Sequence, residues 1–414
     1  MGRPNILWIV ATQWRAQACG YAGDPNARTP CLDALAAGGT HFSQAVTPHP
    51  FGPFARAAML TGRPSPQNGV KEYFDPLPEA VRTVAGDLAG RGYATAFFGK
   101  WHLGRRDPEA SLVGAAHARI RVPPEARGGF GFWEGFESGF LLNDPWLHGT
   151  RLPEPTQFSG YQADVLGARA AAWLRSRDPA TPWFCVVSLE APHPPYDAPA
   201  AGVVPRDPGS VILSPNVPRG GEAEAAARGE LAGYYAHIEA ADRAIGRLVE
   251  SIPPALTVFT SVHGDMHGAH GLFRKGWPHE ESVRVPLIIR PPPGAAGQPG
   301  SSDRLVSLLD LAHWTLGWAD ARSPAALTGC LPTGGEEPRF QVISMPSIVA
   351  LPHQCDRIWR GLRTRERKLV LNADGTPWLL FDLDRDPLEL RNEAGDPGRG
   401  AEIGRLRAML APEF

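Results

Sequence analysis

Cysteine is scarce in this sequence, and its spacing excludes the two common structural uses of that residue. The five cysteines are odd in number and form neither a C-x-x-C pair nor the Cys/His spacing of a zinc finger. Neither a disulfide framework nor a structural zinc site is therefore expected. Cys185 lies within an apolar run, where we expect a buried and inert thiol.

Long hydrophobic runs and an excess of charge of one sign are also missing. No stretch approaches the roughly 18 consecutive apolar residues of a membrane-spanning helix. The first residues, MGRPNILWIV, enter a strand-like run at once and lack the features of a signal peptide. The 41 Lys and Arg residues nearly balance the 43 Asp and Glu residues. We therefore expect a cytoplasmic protein with no membrane or nucleic-acid partner, in which any charge selectivity is local.

Short apolar runs alternate with helical patterns through most of the chain. The runs fall at 5–10, 94–98, 183–189, 256–261 and 286–290, and each is nearly continuous, as in strands covered on both faces. Thr29 and Pro30 favour a helix start, and apolar residues recur at helical spacing between Leu231 and Leu248. This alternation predicts an α/β fold with a doubly wound, mainly parallel sheet flanked by helices.

The last part of the chain has a different pattern. Short strand candidates at 358–363, 368–372 and 378–382 alternate in polarity, Asp374-Gly375 predicts a hairpin turn, and 401–410 predicts a closing helix. We therefore predict a main α/β domain over residues 1–335. A small subdomain of antiparallel sheet and helix, packed on that domain, is predicted over 336–414.

Polar residues follow the predicted strands at the edge where ligands bind in open parallel sheets. They are Thr12 and Gln13 after the first strand; Lys100, Trp101 and His102 after the second; Glu190 and His193 after the third; and His263, Asp265, His267 and His270 after the fourth, with Lys275 beyond. A helix expected near Pro53 adds its amino terminus and Arg56. The residue types predict a pocket with few carboxylates that binds an anion.

Several motifs resemble those of the type I sulfatase family in the alkaline phosphatase superfamily, in the same order along the chain. They are RPNILWIV, TPCLDALAAGGTHFSQAVT, ARAAMLTGR, GKWHLG, APHPPY, SVHGDMHGAHGLFRKG, EESVRVPLIIR and LLFDLDRDPLELRNEA. The resemblance implies the sulfatase fold. It also implies that Lys100, His102, His193 and Lys275 grip the anionic group and protonate the leaving oxygen, and that Arg56 orients the nucleophile.

The departures from the family pattern are as specific as the matches. The family's nucleophile, a formylglycine made from Cys or Ser, falls at Gly52, and glycine has no side chain with which to attack. The family's calcium ligands fall at Thr12, Gln13, Val262 and His263, so none of the acidic ligands is present. We therefore expect neither calcium nor formylglycine, and no standard sulfate-ester hydrolysis.

The expected function is a metal-independent reaction on a small anionic molecule that carries a sulfate, phosphate or carboxylate group. His102 or His193 would act as general acid or base near neutral pH, Lys100, Lys275 and Arg56 would stabilise negative charge, and Thr12 is a candidate replacement nucleophile. Candidate binding residues are Gln13, Gly52, His263, His267 and Trp101.

Two other functions stay open. One is a non-catalytic pseudo-sulfatase that binds a ligand, and the other is a hydrolase with a rearranged metal site at His263, Asp265 and His267. For His267 an outward-facing loop position is the simpler expectation. The loops at 105–132 and 140–158 are expected to line the mouth of the pocket. The sequence does not indicate an oligomeric state.

Overall fold

A ten-stranded sheet forms the centre of the computed structural model, which describes residues 3–295, 299–323, 326–327, 337–349 and 351–410. Its strands are β1 (Ile6–Ala11), β2 (Thr40–Val46), β3 (Ala94–Lys100), β4 (Phe132–Phe136), β5 (Trp146–Gly149), β6 (Thr156–Gln157), β7 (Trp183–Ser188), β8 (Leu256–Ser261), β9 (Leu287–Arg290) and β10 (Gly300–Ser307). The strand order is β10-β2-β9-β8-β1-β7-β3-β4-β5-β6.

The middle of this sheet is parallel, as the alternation of elements predicts. Strand β1 pairs in parallel with β7 and β8, and β3 pairs in parallel with β7 and β4. The predicted strand at 286–290 is present as β9, which is antiparallel to both of its neighbours, β8 and β2. Antiparallel strands β5 and β6 complete the other edge. The α/β fold with a mainly parallel sheet is confirmed.

Helices cover both faces of the sheet. They are α1 (Pro30–Ala37), α2 (Gly52–Thr61), α3 (Val84–Gly90), α4 (Ala115–Ala118), α5 (Gln162–Arg175), α6 (Glu222–Glu250), α7 (Glu280–Val283) and α8 (Asp310–Asp320). Alternate residues of β1 belong to different cores: Ile6 and Trp8 pack in one cluster, and Leu7 and Ile9 in the other. Burial on both faces explains why the central strands read as continuous apolar runs.

A four-stranded antiparallel sheet and a helix form the carboxyl-terminal part of the fold. Its elements are β11 (Gln341–Met345), β12 (Trp359–Arg363), β13 (Arg367–Asn372), β14 (Pro377–Asp382) and α9 (Gly400–Leu410). Trp359 and Phe381 join a core cluster of the main sheet, whereas Leu369 and Leu406 form a separate small core with α9. The predicted boundary between residues 335 and 336 lies outside the described residues, and the domain division stays a prediction.

The hairpin predicted at Asp374-Gly375 is present between β13 and β14. Gly375 adopts a left-handed backbone with φ of 81°, which glycine reaches without steric cost. Among the described residues, no helix combines the length and apolar character needed to cross a bilayer.

Lys368 is fully buried where the small sheet meets the main domain. Its ammonium lies 2.7 Å from Glu280 and 2.6 Å from Glu389, and it also donates a 2.9 Å hydrogen bond to the Pro278 carbonyl. Removing one partner of a buried ion pair leaves the other charge uncompensated. This side chain therefore joins β13 to α7.

We expect Lys368→Met to lower the free energy of unfolding by about 3–5 kcal/mol, because buried carboxylates lose their partner. Urea unfolding of the variant and the wild type measures the change. The control is Arg121→Met, which removes an exposed pair with Glu154 and should cost less than about 1 kcal/mol. Equal effects of the two substitutions would show that Lys368 does not stabilise the junction.

Candidate functional site

The carboxyl ends of four central strands bring most of the predicted site residues together. Strands β1, β3, β7 and β8 lie side by side in the order β8-β1-β7-β3, and their ends deliver residues from all four groups named from the sequence. Helix α2 begins at Gly52, as predicted. Hydrogen bonds and ion pairs connect the members of this cluster, and each of its charged members is buried.

Arg56 ties three of these strand ends to α2. Its guanidinium donates to Oγ1 of Thr12 at 2.8 Å, to Oγ of Ser188 at 2.6 Å and to the Lys100 carbonyl at 3.1 Å. Burial lowers the pKa of Arg56 to about 10, and the nearby carboxylate of Glu190 is the largest charge that counteracts this. Arg56 therefore positions the strand ends in this structure.

Lys100 and His193 share a carboxylate partner and an aromatic cover. The Lys100 ammonium lies 2.6 Å from Oε1 of Glu190, and Nδ1 of His193 lies 3.7 Å from the same oxygen. The ring of Phe140 stacks on His193 with centroids 4.4 Å apart and lies 4.7 Å from the ammonium. Burial lowers the pKa of Lys100 to about 8, with Glu190 opposing the shift. Phe140 comes from the loop at 140–158 that was expected to line the pocket.

Lys275 connects His193 to a second carboxylate through Gln13. Its ammonium donates to Oε1 of Gln13 at 2.6 Å and lies 3.1 Å from Nε2 of His193. The amide of Gln13 donates to Asp265 and, at 3.2 Å, to the Tyr196 hydroxyl, which itself donates to Asp265 at 2.6 Å. Burial and then repulsion by Lys100 lower the pKa of Lys275 to about 7.

Asp265 is the most heavily partnered carboxylate of the cluster. Burial opposes its ionisation, but the charges of His267 and Arg274 and the hydrogen bonds from Tyr196 and Gln13 hold the pKa of Asp265 below its ordinary value. Its second oxygen accepts from the backbone N–H of His267 at 3.1 Å. Asp265 is thus ionised and fully engaged within the protein.

His102 fills the space that a side chain at position 52 would need. A Cβ at Gly52 would lie 2.7 Å from Nδ1 of His102, shorter than such contacts ordinarily are. That Nδ1 has no hydrogen-bond partner among the described residues, although His102 is only 4% exposed. An imidazole nitrogen with free hydrogen-bonding capacity therefore lies beside Gly52.

Three site histidines lie where protonation is disfavoured, contrary to the expectation that His102 or His193 titrates near neutral pH. Burial, together with the surrounding cations, lowers the pKa of His102, His193 and His263 well below 6.5. A neutral imidazole offers one donor and one acceptor. Lys100 and Lys275 are the groups whose pKa values fall closest to neutrality.

The residues at the family's calcium position do not fit a hard dication. Oγ1 of Thr12 donates to the Leu189 carbonyl at 2.8 Å and accepts from Arg56. Oε1 of Gln13 accepts from the ammonium of Lys275, and Val262 offers no ligand atom. Calcium requires about six oxygen ligands, whereas the two oxygens present already accept hydrogen bonds from cations. The same bonds occupy the Thr12 hydroxyl, and no general base contacts it in the described structure.

His267 lies in the interior, contrary to the expectation of an outward-facing loop position. Its side chain is fully buried between the rings of Tyr196 and Tyr234, with centroids 5.1 and 4.3 Å away. Its Nδ1 is 3.4 Å from Glu230 and its Nε2 is 3.8 Å from Asp265. His267 therefore lies behind Asp265, between two carboxylates.

Two further predictions about this region concern Trp101 and the alternative metal site. Trp101 is 1% exposed, packs against Phe97 and Trp133, and lines a small cavity together with Arg56, so its binding role stays a prediction. In the described part of the chain, His263, Asp265 and His267 do not form a group of three ligand atoms within 4.8 Å, whereas His270, Glu281 and Glu389 do. The rearranged metal site is thus not formed by the residues named for it.

Left-handed backbone recurs at the site. Gln13, His102 and His267 have φ of 73°, 58° and 43°, and Arg274, next to Lys275, has 63°. Such conformations cost roughly 1–3 kcal/mol each for residues with a side chain and cluster where function requires them. They turn the chain sharply after β1, β3 and β8, so that side chains point across the strand ends.

A groove of about 760 Å³ lies on one side of the cluster. Pro195, Tyr196, Arg206, Glu230 and Arg274 are among the residues that line it. Tyr196 faces the groove and also donates to Asp265, so its ring separates the groove from the buried cluster.

The sequence did not reveal the part that four residues play in the cluster. Glu190 was noted only as a polar residue after a strand, and Asp265 only as such a residue and as a ligand of the alternative metal site. Phe140 and Tyr196 were not singled out. The signal that could have identified Glu190 is its position, since it directly follows β7 and β7 lies next to the strand that ends in Lys100.

Comparison with protein families and known proteins agrees with the fold and with the family resemblance. Residues 4–321 match the sulfatase family model, and residues 268–412 match the model described as N-sulphoglucosamine sulphohydrolase, C-terminal. The chain is 32% identical over 437 aligned residues to an ulvan-active sulfatase of Formosa agariphila, covering 100% of this chain and 82% of that protein.

Other relatives extend the same comparison. An arylsulfatase of Clostridium perfringens is 26% identical, with 100% of this chain and 94% of that protein covered. The structure of a phosphonate monoester hydrolase of Agrobacterium radiobacter superposes with a TM-score of 0.74 at 23% identity, covering 99% of this chain and 95% of that one, which shows a shared fold. With a family model spanning most of its length, the chain belongs to the sulfatase family.

Proposed function

We propose that this sulfatase-family protein binds a small molecule bearing a sulfate, phosphate or carboxylate group in a metal-independent cationic pocket. The observation that carries the proposal is the buried charge at the strand ends. Arg56, Lys100 and Lys275 face two carboxylates, Glu190 and Asp265, so the cluster has a net charge of about +1 when Lys275 is protonated. A buried unbalanced charge favours a counter-ion.

Unpaired polar atoms support the same proposal. Nδ1 of His102 and Nε2 of His263 are buried and have no hydrogen-bond partner among the described residues. Nδ1 of His263 donates to the Gly264 carbonyl at 2.8 Å, so Nε2 of the neutral ring is an acceptor. Buried polar atoms without partners lose roughly 1–3 kcal/mol each, a loss that a ligand with a hydrogen to donate would relieve. The pocket thus offers an anion a favourable potential, and it offers a protonated ligand unpaired acceptors.

A metal-independent hydrolysis could use the groups already present. Neutral His102 is suited to accept a proton from an attacking water, since its unpartnered Nδ1 lies beside Gly52, where the resemblance places the family's nucleophile. Lys275 has a pKa of about 7 and can donate a proton to a leaving oxygen. Arg56 would position these groups. Thr12 is not assigned as the nucleophile because both of its hydroxyl hydrogen bonds are occupied.

A non-catalytic binding module is the second candidate. The internal pairing of Lys100 with Glu190 and of Lys275 with Gln13 favours it, because these bonds satisfy the cations without a substrate. Turnover of aryl sulfates, phosphates and phosphonates by purified protein separates the two candidates. Anion binding is common to both.

We expect millimolar inorganic phosphate to raise the melting temperature of the wild type, because ligand at about 100 times its dissociation constant stabilises by about 2.7 kcal/mol. Lys275→Met should abolish most of the shift because it removes a cation of the cluster. His193→Ala should do the same because Nε2 of His193 lies 3.1 Å from the Lys275 ammonium and positions it. A thermal-shift assay with phosphate, sulfate and acetate measures this.

The control variant is Lys71→Met, which changes an exposed lysine outside the cluster. It should respond to anions like the wild type. If Lys275→Met and His193→Ala retain the full ligand-induced shift, the anion pocket is not formed by these residues.

Anion affinity should depend on pH through Lys275. Its protonated form attracts the ligand, and its pKa in the free protein is about 7 because of burial and Lys100. Affinity is therefore highest below pH 7 and should fall by up to about tenfold per pH unit above it. Calorimetric titration with phosphate from pH 6 to 9 tests this.

Lys275→Met separates the two sources of pH dependence, since phosphate itself titrates in this range. The weaker binding that remains in the variant, measured at higher phosphate concentration, retains the titration of phosphate and loses that of Lys275. Parallel pH profiles for the variant and the wild type would rule out Lys275 as the titrating group.

Calcium should have no effect on this site. We expect the wild type to bind phosphate equally well after EDTA treatment and dialysis, and added calcium to leave the melting temperature unchanged, because Thr12 and Gln13 already accept hydrogen bonds from cations. Elemental analysis of the purified protein accompanies the assay. Stoichiometric calcium together with loss of phosphate binding in EDTA would contradict the proposal.

A further inference from the structure

Glu190 places a carboxylate within the cation cluster. It is fully buried, its Oε1 is 2.6 Å from the Lys100 ammonium and 3.7 Å from Nδ1 of His193, and its charge also acts on Arg56 and Lys275. Any anion held by Lys100 and His193 must therefore lie beside a negative group. Selectivity among anions therefore depends on whether the anion can form a hydrogen bond with this carboxylate or is only repelled by it.

The second oxygen of Glu190 has no partner. Oε1 accepts from Lys100, and the backbone N–H of Glu190 donates to Gln162 at 2.8 Å. Oε2 is buried and accepts no hydrogen bond from the described residues. An ionised carboxylate only accepts hydrogen bonds. A ligand beside Oε2 can therefore pair with it only by donating a hydrogen bond.

Tetrahedral oxyanions differ in whether they carry a hydrogen with which to donate a hydrogen bond. Near neutral pH sulfate carries no proton, and all its oxygens are acceptors. Inorganic phosphate retains at least one P–O–H group in both of its main ionisation states. Sulfate beside Glu190 would bring two acceptors together without a hydrogen, whereas phosphate could donate to Oε2.

We infer that Glu190 makes this pocket selective for protonated oxyanions, hydrogen phosphate or the monoanion of a phosphate ester, over sulfate. The inference rests on the proposed anion site and specifies its substrate class. A site built to accept a hydrogen bond from its ligand rejects an analogue that lacks the donor, because its buried polar atom then stays unpaired. Lys100 alone would not discriminate, since an ammonium donates equally to either anion.

Isothermal titration with inorganic phosphate and sodium sulfate, at equal ionic strength and pH 7, tests the inference. The wild type should bind phosphate at least about tenfold more tightly than sulfate, the ratio expected from one hydrogen bond to a charged group. Glu190→Gln presents an amide that can donate to sulfate. It should reduce the preference by about tenfold or reverse it.

Asp265→Asn is the matched control. It also removes one buried negative charge near Lys275, but both oxygens of Asp265 already have partners within the protein. Its affinities for both anions can change, while the ratio between them should stay as in the wild type. A change in ratio as large as that of Glu190→Gln would assign the effect to net charge and overturn the inference.

A test without substitutions guards against a Glu190→Gln variant that fails to fold. Arsenate retains a proton at neutral pH and selenate does not, so the wild type should prefer arsenate over selenate as it prefers phosphate over sulfate. Binding of neither phosphate nor sulfate overturns the proposed function. Equal affinities, or a preference for sulfate, overturn the inference about Glu190 and leave the anion site in place.

Discussion

The buried ion pair between Lys100 and Glu190 is the interaction on which the organisation of the site depends. It joins the ends of two adjacent strands, β3 and β7, at a point where neither charge is exposed. Removing either partner would leave the other charge buried without compensation. The positions of His193 and Phe140 follow from this pair, since one lies beside the carboxylate and the other covers the ammonium.

Buried lysines connect segments of this chain that are distant in sequence. The ammonium of Lys275 donates to the amide oxygen of Gln13, and the amide nitrogen of Gln13 donates to Asp265. Three of the four lysines of the chain, Lys100, Lys275 and Lys368, are buried and have partners at contacts of this kind.

The sequence predicts those parts of the fold that one residue type specifies, such as strands made of apolar residues or a turn that contains glycine. The central strands β1, β7 and β8 were predicted because burial on both faces requires continuous apolar runs. Strands β2 and β10 were not predicted, because THFSQAV and GSSDRLVS mix exposed and buried positions and lack that signal. The hairpin at Gly375 could be predicted because the Asp374-Gly375 pair alone favours the turn, without contacts from distant parts of the chain.

For the site, sequence predicts which residues reach the edge of the sheet but not which of them pair. Lys100 and Glu190 are 90 positions apart, and their contact depends on β3 and β7 being neighbours. The pKa values of the histidines depend on burial, which depends on loops packed from elsewhere. His267 shows the same limit, because only the packing of Tyr196 and Tyr234 places it inside.

The position of His102 against Gly52 also limits which residues the start of α2 can accept. A substitution to Cys or Ser at position 52 would bring a Cβ to within 2.7 Å of the imidazole, so His102 would have to move. Positions 52 and 102 are therefore coupled, and a larger residue at the start of α2 can be accommodated only together with a shift or replacement of the histidine.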